Sequence, residues 1–354
     1  MIGQRLKVAR TASGLSLREL QEKIGNLVTA QMIGRYERDE AMPGSATLIA
    51  LADALDVSEN YLVDQSDLRL EAVEFRKNRI TNRKEEASVE ATVLDAVERY
   101  LTIEDLVGAA SAAWTPPPGA PFPVRSLDEA EAAAARLRTL WNLGLDTIPN
   151  LAEFLEERGI KVMVIPLPRS VSGLACKVRQ RTGRSVPVIV VNAADTGERQ
   201  RLTIAHELGH VVLDARHDVD EEKAAFRFGS AFLIPAEVLW AEVGQHRRAI
   251  AVGELVELKT LFGVSAQAIA YRCKELGIIG PGVHRGLFES FARLGWRSAP
   301  YHEPNPMLPE NPRRFHRLCY RALAEGVVSE AKAAELLRLS VRQLNAAMEQ
   351  APTP

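Results

Sequence analysis

The chain has 354 residues, 46% of them hydrophobic and 25% charged, proportions that exclude wholesale disorder and collagen-like sequence. Forty-four basic against 46 acidic residues leave a formal charge of −2, so any surface for nucleic acid must be local. Cys176, Cys273 and Cys319 lie far apart and no apolar run approaches 18 residues, which argues against a disulfide framework, a cysteine-based zinc site and a membrane partner, and fits a reducing, cytoplasmic setting.

Taken in chain order, Ile2, Leu6 and Ala9 repeat at helical spacing and Ser13-Gly14 closes that element. Ser16 with Glu19 three residues on reads as a capping box, opening a second helix that ends near Gly25. Thr29 is placed to cap a third helix from Ala30 to about Arg38, and Pro43-Gly-Ser45 leads into two more. Up to Arg38 there are seven basic residues against three acidic; from Asp39 to Gln65 there are six acidic and none basic. A basic face on the first three helices suits one-sided contact with a DNA backbone. The start of the third helix offers small or amide-bearing groups of the kind that read major-groove edges, among them Thr29, Gln31 and Gly34.

The run Ser16-Leu-Arg-Glu-Leu-Gln-Glu-Lys-Ile-Gly25, then Ile33-Gly-Arg-Tyr-Glu37 and Pro43, resembles the Xre/Cro/C1 family of helix-turn-helix domains. That resemblance implies a double-stranded DNA operator as partner, with Thr29, Ala30, Gln31 and Gly34 facing the groove. It also implies structural or phosphate-contacting roles for Arg35 and Glu37.

Beyond the head, Val93, Val97, Tyr100 and Leu101 recur at helical spacing and read as a packing helix or dimer seam, a connector without chemistry. Two proline-rich stretches, Trp114 to Pro123 and Pro300 to Pro312, read as extended connectors. Between them the period changes. Lys161-Val-Met-Val-Ile165 and Val186-Pro-Val-Ile-Val-Val191 read as strands, and helical periodicity returns from about Arg199 to Leu276.

Two of only seven histidines stand four apart in Thr203-Ile-Ala-His206-Glu207-Leu-Gly-His210. On a helix that spacing puts both imidazoles on one face, where they can share one cation. Glu207 is displaced by a third of a turn, poorly placed as a ligand but able to take a proton from a water on that cation. The pattern therefore encodes hydrolysis more directly than storage. A catalytic zinc needs a third ligand, and the metzincin spacing fails because positions 213 and 216 are Leu213 and Arg216. Asp220, Glu221 and Glu222 open the next helix. Glu222 shares a face with Ala225 and Gly229, small enough for close helix approach, so it is the chosen ligand with Glu221 in reserve. Asn192, Arg227 and Tyr271 are read as structural hydrogen-bonders.

The run Arg199 to His210, with Glu222-x-x-Ala-x-Arg-Phe228 and Phe232-Leu-Ile-Pro235, resembles the ImmA/IrrE family of zincin-type metallopeptidases, over roughly residues 127–280. That resemblance implies metal ligands at His206, His210 and Glu222, a catalytic base at Glu207, and zinc, with manganese as the alternative cofactor. It further implies a regulatory protein as substrate, such as an Xre-type repressor.

The last residues, with Ser329 to Ser340 and Val341-Arg-Gln-Leu344, read helix, turn, helix, and are expected to serve packing or oligomerisation. The whole is a multidomain chain: an all-α helix-turn-helix head plus an α+β zincin-like metallopeptidase body with a helical C-terminal region. The expected boundaries are 1–66, a helical linker 67–124, the body 125–285 and the tail 286–354. A homodimer is expected if the head reads paired half-sites. The competing reading is a non-proteolytic regulator whose body senses metal or a peptide.

Overall fold

Apolar periodicity in the head becomes a small bundle in the computed structural model, which describes residues 2–55, 57, 59–63, 69–71, 83–109, 114–179, 185–215, 219–298, 301 and 303–349. The chain divides into two units. One comprises residues 1–113, 176–186 and 313–354, and the other 114–175 and 187–312.

In the first unit, α1 (Gly3–Ala12), α2 (Leu17–Lys23), α3 (Ala30–Glu37), α4 (Ser45–Leu55) and α5 (Glu59–Val63) enclose Leu6, Leu20, Ile33, Leu51 and Leu62. The capping box forms as the sequence implies: Ser16 accepts from the Glu19 N–H while Glu19 accepts from the Ser16 N–H. Thr29 caps α3 by accepting from the Met32 N–H. The longer turn between α2 and α3 is made by consecutive left-handed residues, Gly25 (φ 66°) and Asn26 (φ 58°), of the two types that adopt this conformation most readily. The short strand β1 (Arg69–Glu71) pairs antiparallel with residues 177–179.

Helix α6 (Arg83–Val107) is a packing helix of this unit. Its Val89, Val93, Val97, Leu101 and Ile103 are buried, and it packs against α1 and against α15 (Arg314–Ala324). Arg5 of α1 pairs with Glu98 of α6 and lies over the Tyr61 ring at 4.9 Å. The tail belongs to this unit: α15, α16 (Glu330–Leu337) and α17 (Val341–Glu349) bury Leu318, Cys319, Leu336 and Leu344 with Ile103. Buried Asp95 holds Arg99 at 3.0 Å and Arg338 at 2.7 Å.

The second unit is α+β. In chain order it contains β2 (Phe122–Val124), α7 (Leu127–Leu140), α8 (Leu151–Glu156), β3 (Lys161–Ile165), the start of β4 (Gly173–Arg179) and most of β5 (Ser185–Asn192). There follow α9 (Gly197–Val212), β6 (Leu213–Ala215), α10 (Glu221–Leu233), α11 (Ala236–Val243), α12 (Val252–Phe262), α13 (Ala266–Glu275) and α14 (Pro281–Arg293). Strands β3 and β5 run parallel, Lys161 opposite Val188 through Ile165 opposite Asn192. Val188 to Val191 are all buried, the unbroken apolar run of a strand covered on both faces. A second pair, β2 and β6, sets Phe122 opposite Leu213; three-residue strands like these leave too little alternation to read from sequence.

Val191, Leu208, Phe228, Phe232 and Ile269 share the core of this unit, in which α10 packs against both α9 and α7. The boundary expected at residue 285 falls inside α14, whose Leu287 and Phe291, with Trp296, join the same core. Nor is the second proline-rich stretch a bare connector. Buried Glu303 accepts from the Ala266 N–H at 2.9 Å, and buried Glu310 from Arg201 at 2.6 Å. Among the described residues, no single helix is long and apolar enough to cross a membrane.

Candidate metal centre and DNA-reading helix

Helix α9 carries His206, Glu207 and His210, and its neighbour α10 carries Glu222 in its first turn. What lets these helices approach is a glycine from each at the crossing. A Cβ on Gly209 would sit 3.1 Å from the Ala225 Cα, and one on Gly229 would sit 2.8 Å from the His206 backbone nitrogen. Asp220 caps α10 by accepting from the Lys223 N–H at 3.1 Å, fixing the turn that bears Glu222.

One atom from each of His206, His210 and Glu222 lies within 4.8 Å of the others. The two Nε2 atoms are 3.0 Å apart with their rings nearly perpendicular at 89°. Glu222 oxygens lie 3.3 Å from His206 Nε2 and 3.9 Å from His210 Nε2. Nitrogens facing one another this closely need either a shared proton or a shared cation. Around tetrahedral zinc, with metal–nitrogen distances of about 2.0–2.1 Å, two such nitrogens sit about 3.3 Å apart. The donor set therefore fits a borderline-soft divalent cation. Both histidine side chains are buried while Glu222 is 41% exposed, so the cluster opens to solvent on its carboxylate side. Glu207 is buried on α9 beside His206.

Glu221, the reserve ligand, is more exposed and approaches His210 from its other nitrogen: its carboxylate is 3.9 Å from Nδ1. His217 and Arg216 lie outside the described residues. Asn192 is a loop organiser, its amide donating to the carbonyls of Leu167, Pro168 and Val171. Arg227 joins an ion-pair network with Glu131 at 2.7 Å and Glu275 at 3.7 Å. Burial pushes the Glu275 carboxyl up against the opposing pull of Arg227 and Arg272. Tyr271 is 38% exposed.

Sequence reasoning missed the groups that hold the two helices. Lys259 reaches Glu198 of α9 at 2.7 Å, and Arg201 of α9 reaches Glu310. Behind α10, fully buried Arg272 pairs with Glu131 and donates to the Ile234 carbonyl at 3.1 Å, and Arg138 donates to the Phe232 carbonyl at 2.6 Å.

On the head, Thr29, Gln31 and Arg35 are exposed around the start and outer face of α3, and Ala30 is half-buried. Gly34 is different. It is buried, with Leu17 and the Arg38 side chain where its Cβ would point, so it serves the packing of α2 on α3 and does not present an open contact as expected. Glu37 is structural: it takes two bonds from Arg10, at 2.5 and 3.0 Å. Arg5 and Arg10 are thus engaged inside the unit, leaving Lys7, Arg18, Lys23, Arg35 and Arg38 exposed. An unexpected organiser is Gln21, whose side chain accepts from the Ala30 N–H at 2.7 Å and donates to Asn26 at 2.9 Å, tying the turn together.

A five-helix head and an α+β body carrying a His-His-Glu cluster define the class, a helix-turn-helix region joined to a zincin-like region. Residues 6–62 match the helix-turn-helix family HTH_3, and residues 155–274 match Peptidase_M78, the IrrE N-terminal-like domain. The chain thus combines an Xre-type helix-turn-helix region with an IrrE/ImmA-like peptidase-family region. It is 38% identical over 63 residues to the SPbeta prophage-derived uncharacterized HTH-type transcriptional regulator YonR of Bacillus subtilis (strain 168). That match takes in 18% of this chain and 56% of the relative, so the chain spans little more than half the length of that protein.

Proposed function

We propose that this chain is a DNA-binding transcription regulator whose body is a zinc-dependent endopeptidase that cuts a regulatory protein, an Xre-type repressor by preference, at one or a few bonds. The observation that carries the reading is the convergence of His206 and His210 of α9 with Glu222 of α10, with Glu207 buried beside His206 on α9. His206, His210 and Glu222 would hold a divalent cation, zinc or in its place manganese, which when bound would supply Lewis acidity and lower the pKa of water. Glu207 would take a proton from the water that attacks the scissile carbonyl and return it to the departing amide nitrogen, so that the peptide bond breaks after the new carbon–oxygen bond has formed. A cation store needs ligands but no buried carboxylate next to them, which favours hydrolysis over storage or sensing.

In the same reading Thr29, Gln31 and Arg35 contact a double-stranded operator, with the Ala30 methyl at its edge, and paired half-sites are met by a homodimer. The head brings the peptidase to the operator where its substrate sits.

Two measurements test this. Metal content is determined for the purified wild type, Glu222→Ala and Glu221→Ala; one cation per chain is expected in the first and last, and its loss in Glu222→Ala. Zinc-loaded protein is then incubated with Xre-type repressors. A discrete cut is expected, slowed by roughly 100-fold or more in Glu207→Gln. Full metal in Glu222→Ala refutes the ligand set, and undiminished cutting by Glu207→Gln refutes the base.

A further inference from the structure

A row of rings leaves the candidate metal centre along the surface of the second unit. Phe226 of α10 stands edge-on to His206 at 6.3 Å, and Tyr271 of α13 stands edge-on to Phe226 at 5.7 Å. His284 of α14 follows at 5.9 Å from Tyr271, and Phe288 lies 4.4 Å beyond it. Helix α10 and the consecutive helices α13 and α14 thus contribute to one line. Tyr271 is exposed and the other three are half-buried, whereas rings that serve only packing, such as Phe228, Phe232 and Phe291, are fully buried.

Polar features on this row are unspent. His284 Nε2 is buried and has no hydrogen-bond partner among the described residues. Such a nitrogen costs folding free energy unless something bonds to it. Burial and the nearby Lys274 push the His284 pKa down, so its ring stays neutral and can accept from an N–H or donate to a carbonyl. Lys274 lies over the Tyr271 ring at 5.7 Å, and Arg297 over the Phe288 ring at 5.5 Å. Neither cation has a carboxylate within ion-pair distance among the described residues.

We infer that Phe226, Tyr271, His284 and Phe288 form a binding strip for the polypeptide substrate, which lies extended along it with large apolar side chains at alternate positions and an acidic residue beside them. This rests on the peptidase reading above. Alternate side chains of an extended chain are about 6.6 Å apart on one face, close to the 5.7–6.3 Å steps from His206 through Phe226 and Tyr271 to His284. The extended backbone offers both the N–H and the carbonyl that His284 Nε2 lacks, and an acidic side chain meets Lys274 and Arg297.

The test is binding to full-length Glu207→Gln, in which cutting does not confuse the signal. The probe is a fluorescein-labelled heptapeptide with phenylalanine at positions two, four and six and glutamate at both ends. Its control has serine for phenylalanine and lysine for glutamate. Fluorescence anisotropy is expected to show at least tenfold tighter binding of the probe. Tyr271→Ala with Phe288→Ala should abolish that preference, Tyr271→Phe should keep it, and Arg297→Glu should weaken the probe several-fold. Far-ultraviolet circular dichroism and zinc content verify that each variant is folded. Equal affinity for probe and control, or a preference that survives the double alanine variant, overturns the strip even if repressor cleavage is found. A preference lost with those rings upholds it even if no cleavage is ever found, since that failure belongs to Glu207 and the metal.

Discussion

Gly229→Ala is the most direct test of how α9 and α10 make the cluster. The added Cβ would lie 2.8 Å from the His206 nitrogen, 3.0 Å from the Ala205 carbonyl carbon and 3.1 Å from the His206 Cα. All three are helix backbone, which cannot rotate aside as a flexible side chain can. Restoring ordinary contact requires the helices to part by about half an ångström. Overpacking of this kind costs about 1–3 kcal/mol, offset by about 0.5–1 kcal/mol because alanine replaces glycine inside a helix. The expected net is a loss of about 0–2.5 kcal/mol. The larger effect should fall on metal: moving Glu222 against His206 and His210 should weaken zinc by roughly 10–100-fold, as disturbed ligand support does elsewhere. Gly286→Ala is the control, since it is also inside a helix but meets nothing within 4 Å; it should gain stability by about 0.5–1 kcal/mol and leave zinc unchanged. Urea unfolding and zinc competition against a chromophoric chelator read both quantities. If Gly229→Ala matches the wild type in both, the crossing does not position the ligands and this reasoning is wrong.

Burial acts to raise the Glu198 carboxyl, but its bonds from Lys259 and the Met307 N–H outweigh that and leave it below its ordinary value. A carboxyl lowered by folding contributes stability above its unfolded pKa, lost as pH falls through the folded one. Acid unfolding below about pH 4.5 should therefore be shallower in Glu198→Gln, which at pH 7 should be less stable by about 3 kcal/mol, the low end for a broken buried pair because Lys259 keeps Glu303 at 3.4 Å. Parallel wild-type and variant acid curves would remove Glu198 from the account. On the head, Arg35→Ala should weaken operator and nonspecific DNA alike and lower the salt dependence by about one ion, whereas Gln31→Ala should cost about 1–3 kcal/mol on the operator alone. Anisotropy titrations at several salt concentrations separate the two, and identical losses on both DNAs would refute the division.

What the sequence disclosed about the site was local. His206, Glu207 and His210 are legible because four residues make about one turn, and Glu222 because its phase relative to Ala225 and Gly229 fixes the face on which it stands. The support was not legible. Arg272 and Glu131 are 141 residues apart, and Arg201 and Glu310 are 109 apart; no spacing rule links them. The stretch from Pro300 to Pro312 reads as connector because proline reports on backbone donors, not on where Glu303 and Glu310 point. Similarly, the periodicity of α6 shows that a face is buried but not that α1 and α15 cover it. Gly34 reads as an open contact from its position in the motif, and only packing against Leu17 and Arg38 shows otherwise.

These hidden pairs also explain why a candidate metal centre of this kind is bracketed by buried charge. Apolar residues of similar volume at Arg272 and Glu131, or at Lys259 and Glu198, would give comparable stability, since desolvation consumes most of what a buried pair gains. Apolar contact is non-directional, however, and allows a helix to rotate or slide by fractions of an ångström. Arg272 fixes the end of α10 through the Ile234 carbonyl while pairing with Glu131, and Arg138 fixes the Phe232 carbonyl one turn from the glycine crossing. Lys259 and Arg201 do the same for the first turns of α9. Each is directional and far in sequence from the cluster, so together they set the rotation and height of both helices independently of the ligands. The glycines set how near the helices lie, and the ion pairs set in which phase. Weakening either class should lower metal affinity, but only the glycine changes should do so by widening the crossing itself.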